Sequence, residues 1–512
     1  MRCRGWSGCL LPGRGWKPRA CSRWRHSILA RFSPVLRLPE GRRNWWVLAV
    51  VSLTQLLVVL DGTIVNVALP SAQVELGMSD SARQWVVTAY ALAFGALLLL
   101  GGRIADFWGR RRAFLLGLAL FGVVSVWGGV AGSGAELLAA RGLQGVAAAL
   151  MAPAALAIVT VTFPSGRERN VAFAVFGGIS GAGAAIGLLL GGVLTEYLSW
   201  RWCLLVNVPF VVVGVVAGGL LLSESRADGD RRYDVLGAVA VSGGLGALVY
   251  GLTLAEESLV SASALGFVVL GVLLLGAFVV VEARSAHPLL PLRVFADRVR
   301  VAAFLVQGIT GAVMIGAMLY LTFHLQGVLG LSPLLAGLGT LPITASITLT
   351  VPFATRMLER VGPRAQLVLG PVLAACGVGY LGLITADGGY WAQVLPGLVL
   401  FGAGMGFTFV PLQNLALLGV EARDAGAAAA TATAANQVGG SVGLAVVTAI
   451  YSGVVARAEG PVVVERVVSG YSAVFATAAV LLCVAAAVAF TLIGKGTALR
   501  TGVESAPAVH LG

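Results

Sequence analysis

Fourteen runs of predominantly apolar residues follow one another along the chain with short polar breaks between them. Each run is continuous rather than alternating, and a helix of about 20 residues rising about 1.5 Å per residue crosses about 30 Å of hydrocarbon. Charged residues make up only 11% of the chain, whereas a soluble domain has about 25%. Because a backbone in lipid must satisfy its hydrogen bonds internally, the sequence predicts an all-α integral membrane fold with 14 transmembrane helices. The predicted spans are 45–69, 84–102, 113–132, 136–160, 171–195, 202–222, 234–254, 261–282, 301–325, 334–355, 365–385, 390–413, 426–452 and 471–493.

The basic residues indicate how these spans are oriented. Most of the 35 Lys and Arg residues lie in the N-terminal segment or in alternate loops, such as 103–112, 284–300 and 356–364. Loops rich in Lys and Arg stay in the cytoplasm. The sequence therefore predicts a multi-pass protein of the plasma membrane with both termini in the cytoplasm.

Residues 1–44 form a basic segment with interleaved Trp6, Trp16 and Trp24, and the whole chain has a net charge of +12. An arm that binds nucleic acid is one interpretation, and a disordered cytoplasmic tail that touches lipid is the other. The second is favoured because anionic lipid attracts basic segments next to a membrane span. We expect the lipid bilayer as a partner and no nucleic acid.

Two loops resemble each other at a constant separation. The segment GGRIADFWGRRR (101–112) and the segment ATRMLERVGPR (354–364) match at four positions that are 253 residues apart. The matched pairs are Arg103 with Arg356, Asp106 with Glu359, Gly109 with Gly362 and Arg111 with Arg364. Short cytoplasmic loops often collect Arg and Gly, but chance does not explain four positions in register. The repeat predicts two six-helix lobes.

The repeat also predicts the domain boundaries. We expect an N-terminal lobe at 45–222, two additional helices with their flanking loops at 223–300, a C-terminal lobe at 301–493 and a cytoplasmic tail at 494–512.

Asp61 and Arg141 are the two charged side chains placed deepest in the predicted spans. Asp61 lies about 13 Å, and Arg141 about 8 Å, below the same membrane surface at 1.5 Å per residue. Each costs roughly 2.5–3.5 kcal/mol if it is alone at a helix centre, so such residues are expected to pair or to line water. We therefore predict that Asp61 carries a proton and that Arg141 tunes its proton affinity. The alternatives are a helix-packing hydrogen bond for Asp61 and extension of Arg141 to the lipid headgroups.

Several uncharged residues also stand out within the spans. Amide side chains on apolar helices are candidates for a substrate cavity or for interhelical hydrogen bonds, and we select Asn66, Gln144, Gln326, Asn436 and Gln437. Small residues in the fifth span predict close helix contact and bending. These glycines are Gly181, Gly183, Gly187, Gly191 and Gly192.

These segments together resemble one known family. Six segments are similar to motifs of the drug:proton antiporters of the major facilitator superfamily, of the fourteen-span EmrB/QacA type. The segments are LDGTIVNVALP (60–70), the loop 101–112, RGLQG (141–145), GISGAGAAIGLLLGG (178–192), WRWCLLVNVP (200–209) and LQGVLGLSPLLAGLGTLP (325–342). The fifth span differs from its motif at Leu188, where a proline is usual.

The resemblance implies the major facilitator fold and export of drug-like molecules by alternating access, driven by the proton gradient without a cofactor. It implies that the glycines of the fifth span belong to an antiporter helix. It also implies a cytoplasmic gate loop in each half. The residues of the two loops are Gly102, Asp106, Gly109, Arg110 and Arg111, and then Glu359 and Arg364.

Other functions are disfavoured by what the sequence contains. It has no HExxH, GxSxG or Walker A motif and no pair of deep carboxylates, and its four His residues are scattered, so we expect neither an enzyme nor a metal site. A facilitator or importer of the same fold remains an alternative. A single deep acid favours neutral, zwitterionic or singly charged apolar substrates, and we expect a monomer.

Overall fold

The computed structural model describes residues 40–163, 167–226, 234–254, 261–285, 288–290, 292–416, 418–420, 425–457 and 463–494. The predicted tails at 1–44 and 494–512 lie almost entirely outside these residues. The described residues form fourteen long helices and a few short helical turns. The first eight long helices are α1 (Glu40–Leu76), α2 (Asp80–Trp108), α3 (Arg110–Gly129), α4 (Gly134–Thr162), α5 (Arg167–Tyr197), α6 (Asn207–Leu221), α7 (Val235–Leu254) and α8 (Ala262–Arg284).

The remaining helices include one stretch, Pro333–Leu381, that is kinked at Gly362. We call its parts before and after the kink α10 (333–361) and α11 (363–381). The others are α9 (Arg298–Phe323), α12 (Leu395–Ala416), α13 (Ala425–Arg457) and α14 (Val463–Leu492). Short turns occupy Trp202–Leu205, Leu292–Phe295, His324–Val328 and Tyr390–Val394.

The predicted spans all fall on these helices. Among the described residues, 12 segments are long and apolar enough to cross a membrane, and two shorter apolar segments, Gly183–Tyr197 and Leu236–Leu252, belong to α5 and α7. The prediction of an all-α membrane fold with fourteen helices is confirmed.

Polar residues at the helix ends explain where several helices begin. The side chains of Ser79, Ser133, Ser261 and Ser332 each accept a hydrogen bond from a backbone N–H in the first turn of α2, α4, α8 and α10. Asp297 does the same for α9. Such caps satisfy N–H groups that have no partner within the helix.

The matched glycines of the repeat have the same backbone role. Gly109 separates α2 from α3 with φ 128°, and Gly362 separates α10 from α11 with φ 78°. L-residues rarely adopt a positive φ, so a side chain at either position would strain the turn. The repeat thus preserves the sharp connection between the second and third helix of each half.

The two halves pack mainly through α2 against α13 and through α5 against α10. We call the end of the bundle where α1 ends the distal end, and the end where α1 begins the proximal end. At the distal end one apolar cluster includes residues of both halves, such as Ile64, Leu69, Leu319 and Ile343. Toward the proximal end each half has a cluster of its own, and Ala430 and Ala434 of α13 also pack against the cluster of the N-terminal half. The halves therefore meet tightly at the distal end.

The two additional helices, α7 and α8, pack against each other. α7 also contacts α2 of one half and α13 of the other, so it covers the seam between them. α8 leaves many apolar side chains exposed, including Leu265, Val272 and Leu273. That surface is suited to lipid.

Candidate functional site

Asp61 of α1 and Arg141 of α4 form a buried ion pair in the N-terminal half. Arg141 Nη1 donates to Asp61 Oδ2 over 2.6 Å, and the side chains are 1% and 0% exposed. Arg141 is enclosed by protein and is not extended to the outside of the bundle. A buried pair is costly to desolvate and is tolerated where further hydrogen bonds complete it.

Arg141 has three more partners besides the carboxylate. Its Nε donates to the carbonyl oxygen of Val86 over 3.2 Å, and Nη1 also donates to Gln144 Oε1 over 2.8 Å. The centre of the guanidinium lies 4.4 Å from the centroid of the Tyr90 ring. Arg141 is thus held by α2 and by its own helix, independently of Asp61.

Two amides complete the coordination of Asp61. Its Oδ1 accepts hydrogen bonds from Asn207 Nδ2 over 2.7 Å and from Gln144 Nε2 over 3.2 Å. Ser125 Oγ accepts from the same two amides, over 3.4 Å and 2.8 Å. Side chains from four helices, α1, α3, α4 and α6, therefore meet at this site, and three side chains donate to the carboxylate.

The local sequence explains how these side chains meet. Arg141 and Gln144 are three residues apart and so lie on the same face of α4. Asn207 begins α6, directly after a break that separates it from the turn Trp202–Leu205. Pro209 has no N–H and cannot donate to the carbonyl of Leu205, which accounts for that break. Val206 keeps helical φ/ψ, and the Asn207 side chain is fully buried where it reaches the carboxylate.

The predicted gate loop of the first half is held by its own lobe. Asp106 accepts from Arg110 Nη2 over 2.8 Å, one turn away. The Arg111 N–H donates to Glu224 over 3.2 Å, and Arg111 Nη2 donates to the carbonyl of Gly219 over 2.6 Å. Among the described residues these bonds join the start of α3 to the end of α6 and to the segment that follows it. Gly102 lies on α2, facing Pro153 of α4.

The corresponding residues of the second half are described only in part. Arg364 Nη2 donates to the carbonyl of Phe490 over 2.7 Å, and its guanidinium lies over the Phe490 ring. The side chain of Glu359 lies outside the described part. The role predicted for this loop stays a prediction.

The glycines of α5 face two neighbours. Gly183, Gly187 and Gly191 pack against α1, next to Leu56, Leu60 and Ile64 respectively. Gly192 faces α10 of the other half, where an added methyl group would lie 2.7 Å from Leu334 Cα. The surroundings of Gly181 lie outside the described part. The stripe thus permits close contact both within the lobe and across the interface.

The predicted cavity residues have different surroundings. Gln144 is fully buried and engaged by the ion pair, so it does not face a cavity in this conformation. Gln326 donates to the carbonyl of Val67 over 3.1 Å and links the two halves at the distal end. Asn436 donates to the carbonyl of Gln307 over 3.3 Å. Gln437 packs close to Gly95 of α2, and the buried Asn66 Oδ1 has no hydrogen-bond partner.

Sequence reasoning missed three members of the site, Asn207, Ser125 and Tyr90. Asn207 lies within the motif WRWCLLVNVP, and its position beside a helix break was the available signal. Ser125 and Tyr90 carry no signal that separates them from other small polar and aromatic residues on apolar helices.

Comparison with known proteins places this architecture in a family. The model of the Major Facilitator Superfamily matches residues 51–444. The chain belongs to the major facilitator superfamily. It is similar to solved transporters of that fold, including the POT family transporter PepTSo, with a TM-score of 0.65 at 16% identity over 88% of this chain and 97% of the other.

Relatives of known name are more similar in sequence. The puromycin resistance protein pur8 of Streptomyces alboniger is 44% identical over 468 residues, which cover 90% of this chain and 93% of the relative. The cephamycin export protein CmcT of Amycolatopsis lactamdurans is 39% identical over 403 residues, which cover 77% of this chain and 82% of the relative. The fourteen-span EmrB/QacA subtype stays a prediction.

Proposed function

We propose that this protein exports small apolar or amphipathic antibiotics across the plasma membrane in exchange for protons, by alternating access. Superfamily membership and relatives named for antibiotic resistance or export support the transport class. The ion pair of Asp61 and Arg141 carries the proposal that protons drive transport.

Asp61 is the residue that takes up the proton, because Arg141 has hydrogen-bond partners besides the Asp61 carboxylate. When Asp61 is protonated it loses the attraction of the guanidinium, but Arg141 keeps the Val86 carbonyl, Gln144 and the Tyr90 ring. Neutralising the acid therefore leaves Arg141 hydrogen-bonded but without its counter-charge, which is a cost that the proton gradient has to supply. Arg141 is a fixed positive charge, and Asp61 is the group that changes.

The energies are of comparable size. Two charges 4 Å apart interact by about 4 kcal/mol at an effective dielectric constant of 20. One elementary charge that crosses a potential of 100 mV releases about 2.3 kcal/mol. A change in the separation or hydration of Asp61 and Arg141 is thus large enough to couple the proton gradient to a rearrangement of the lobes.

The orientation follows from the basic loops, which place the proximal end and both termini in the cytoplasm. The distal end, where both lobes share one apolar cluster, is then the external face. This conformation is closed to the outside, and its separate proximal clusters suit a path from the cytoplasm. Export requires that the distal end opens and the proximal end closes in the other half of the transport cycle. Asp61 then accepts its proton from the external side.

Puromycin is the first substrate to test, because the puromycin resistance protein matches this chain over 90% of its length. Neutral and singly charged compounds suit a transporter whose deep carboxylate is already paired. We expect no cofactor and no metal, and a monomeric unit.

Everted membrane vesicles test the proposal directly. Vesicles that contain the protein and maintain a pH gradient should lose part of it when puromycin, lincomycin or ethidium is added. Asp61→Asn should abolish the response at equal expression, whereas Asp387→Asn, in an exposed loop, should retain it. An undiminished response in Asp61→Asn would remove Asp61 as the carrier. Puromycin uptake that proceeds without dissipating the gradient would favour the facilitator alternative.

A further inference from the structure

Protonation of Asp61 creates a donor in a place crowded with donors. In the charged state its oxygens accept from Arg141, Asn207 and Gln144. A protonated carboxyl carries an O–H group, which needs an acceptor once it is buried. The hydrogen bond from the protonated carboxyl needs an acceptor, and the three groups that donate to Asp61 do not supply one in the orientation seen here.

The site contains one buried acceptor atom that is not engaged. Within the part of the chain that the structure describes, Asn207 Oδ1 has no hydrogen-bond partner, and the residue is 0% exposed. The other acceptors near Asp61 already receive hydrogen bonds, because Gln144 Oε1 accepts from Arg141 and Ser125 Oγ accepts from both amides. A buried amide oxygen without a donor is costly, so its presence beside a titrating carboxyl requires an explanation.

Other ionisable groups near the carboxyl have partners of their own. The Tyr90 hydroxyl of α2 donates to the carbonyl of Val58 over 3.4 Å. Cys203, in the turn before α6, has its sulfur 3.4 Å from Thr195 Oγ1 of α5. Both groups are thus engaged with residues other than Asp61. Arg141 of α4 is the cation that faces Asp61.

We propose that Asn207 is a proton-dependent positioning residue, whose side-chain amide rotates to accept the Asp61 O–H at Oδ1 when Asp61 is protonated. This inference rests on the proposed function. In the charged state Nδ2 donates to the carboxylate. In the neutral state a hydronium ion has transferred its proton to the carboxylate, so that one O–H bond of hydronium breaks, one carboxyl O–H bond forms and water is left, and the amide presents its oxygen instead.

The reversal has a consequence for α6. Once Nδ2 turns away from the carboxylate, it faces Ser125 of α3, with which it already has a longer contact of 3.4 Å. Asn207 lies directly after the break at Val206, where the helix lacks a continuous ladder of backbone bonds. A change of partner at that point alters how α6 is tied to α1 and α3. Protonation of Asp61 on α1 thereby changes the contact between α6 and α3.

Infrared difference spectroscopy of the purified protein between high and low pH tests the inference without a substrate. A carboxyl C=O band should appear at low pH and be absent in Asp61→Asn. In Asn207→Leu the band should shift to higher wavenumber, because the O–H loses its acceptor. Asn207→Ala should shift it in the same direction, which covers the case in which the leucine variant does not fold. Asn414→Leu removes an amide that bonds only to its own helix, at the Val410 carbonyl, and should leave the band in place.

The outcomes separate the two claims. If the band belongs to Asp61 and is unmoved in both Asn207 variants, the reversal is wrong and the carrier role of Asp61 survives. If no pH-dependent carboxyl band is assigned to Asp61, both the carrier role and the reversal are overturned. A shift of the Asp61 band confined to the Asn207 variants supports the inference.

Discussion

Glu196 Oε2 accepts a hydrogen bond of 3.0 Å from the backbone N–H of Leu334, and these residues belong to opposite lobes. Glu196 lies near the end of α5, and Leu334 is in the first turn of α10, where a helix carries partial positive charge. Nearby, the Arg83 guanidinium of α2 lies 3.6 Å from the Phe323 ring centroid at the end of α9. The closed distal end is thus held by polar as well as apolar contacts.

Removing the Glu196 carboxylate should favour opening at the distal end. A carboxylate at an exposed helix N-terminus contributes about 0.3–1 kcal/mol, so Glu196→Ala should raise the labelling rate of a cysteine introduced at Leu69, in the distal apolar cluster, by about two- to fivefold. Glu465→Ala removes an exposed acid in the first turn of α14, so it is the control and should not change labelling. Equal labelling of Glu196→Ala and the parent would show that this contact does not hold the lobes together.

Gly192 is expected to matter through the space it leaves for α10. A Cβ at this position would lie 2.7 Å from Leu334 Cα and 2.9 Å from the Pro333 carbonyl oxygen. Gly192→Ala should therefore disfavour the distally closed state and raise labelling of the same reporter. Gly266→Ala on α8 meets nothing within 4 Å and should leave labelling unchanged. Unaltered labelling in Gly192→Ala would mean that the lobes tolerate a wider spacing.

The buried ion pair should behave as a unit in stability measurements. Removing one partner of a buried pair costs about 3–5 kcal/mol, whereas replacing both with apolar residues is often near neutral. Asp61→Leu and Arg141→Met should each lower the unfolding temperature in detergent, and the double variant should lie closer to the parent than the sum of the two losses. Strictly additive losses would contradict coupling between the two side chains.

The acid after α6 should control the mobility of the gate loop. Glu224 accepts from the Arg111 N–H and forms an ion pair with Arg112 over 3.4 Å. Glu224→Ala should speed hydrogen exchange in the first turn of α3, which the carboxylate caps. Glu136 accepts from the Gly132 N–H at the start of α4, so Glu136→Ala removes a similar contact at a different helix and should leave exchange in α3 unchanged. If hydrogen exchange in α3 is the same in Glu224→Ala and in Glu136→Ala, a contact other than that of Glu224 restrains the gate loop.

The fold was predictable because the signals are long and repeated. Continuous apolar runs define helices in lipid, and the register of Gly109 with Gly362 marks the duplication through a backbone requirement that both sites share. Asp61 and Arg141 stood out because a charge at such depth is costly. These features depend on local sequence and on the cost of exposing polar groups to lipid.

The rest of the site depends on which helices meet, and the sequence does not specify this. Asn207 donates to a carboxylate 146 residues away, and Glu224 holds a loop 113 residues away. An amide or acid near a helix end is common, so neither residue stands out before α1, α3, α4 and α6 are assembled. The predicted cavity role of Gln144 shows the same limit, because only the packing reveals that Asp61 and Arg141 already engage it.

The position of α7 on the seam between the lobes links this protein to its lipid environment. α7 contacts α2 of one lobe and α13 of the other, and α8 reaches the bundle chiefly through α7. When the lobes rock, α7 must therefore slide against α2 or against α13. Lipid chains then fill or leave the grooves beside α7 and α8. The turnover rate is accordingly expected to depend on bilayer thickness and acyl-chain order, since the surrounding membrane shares in the work of each conformational cycle.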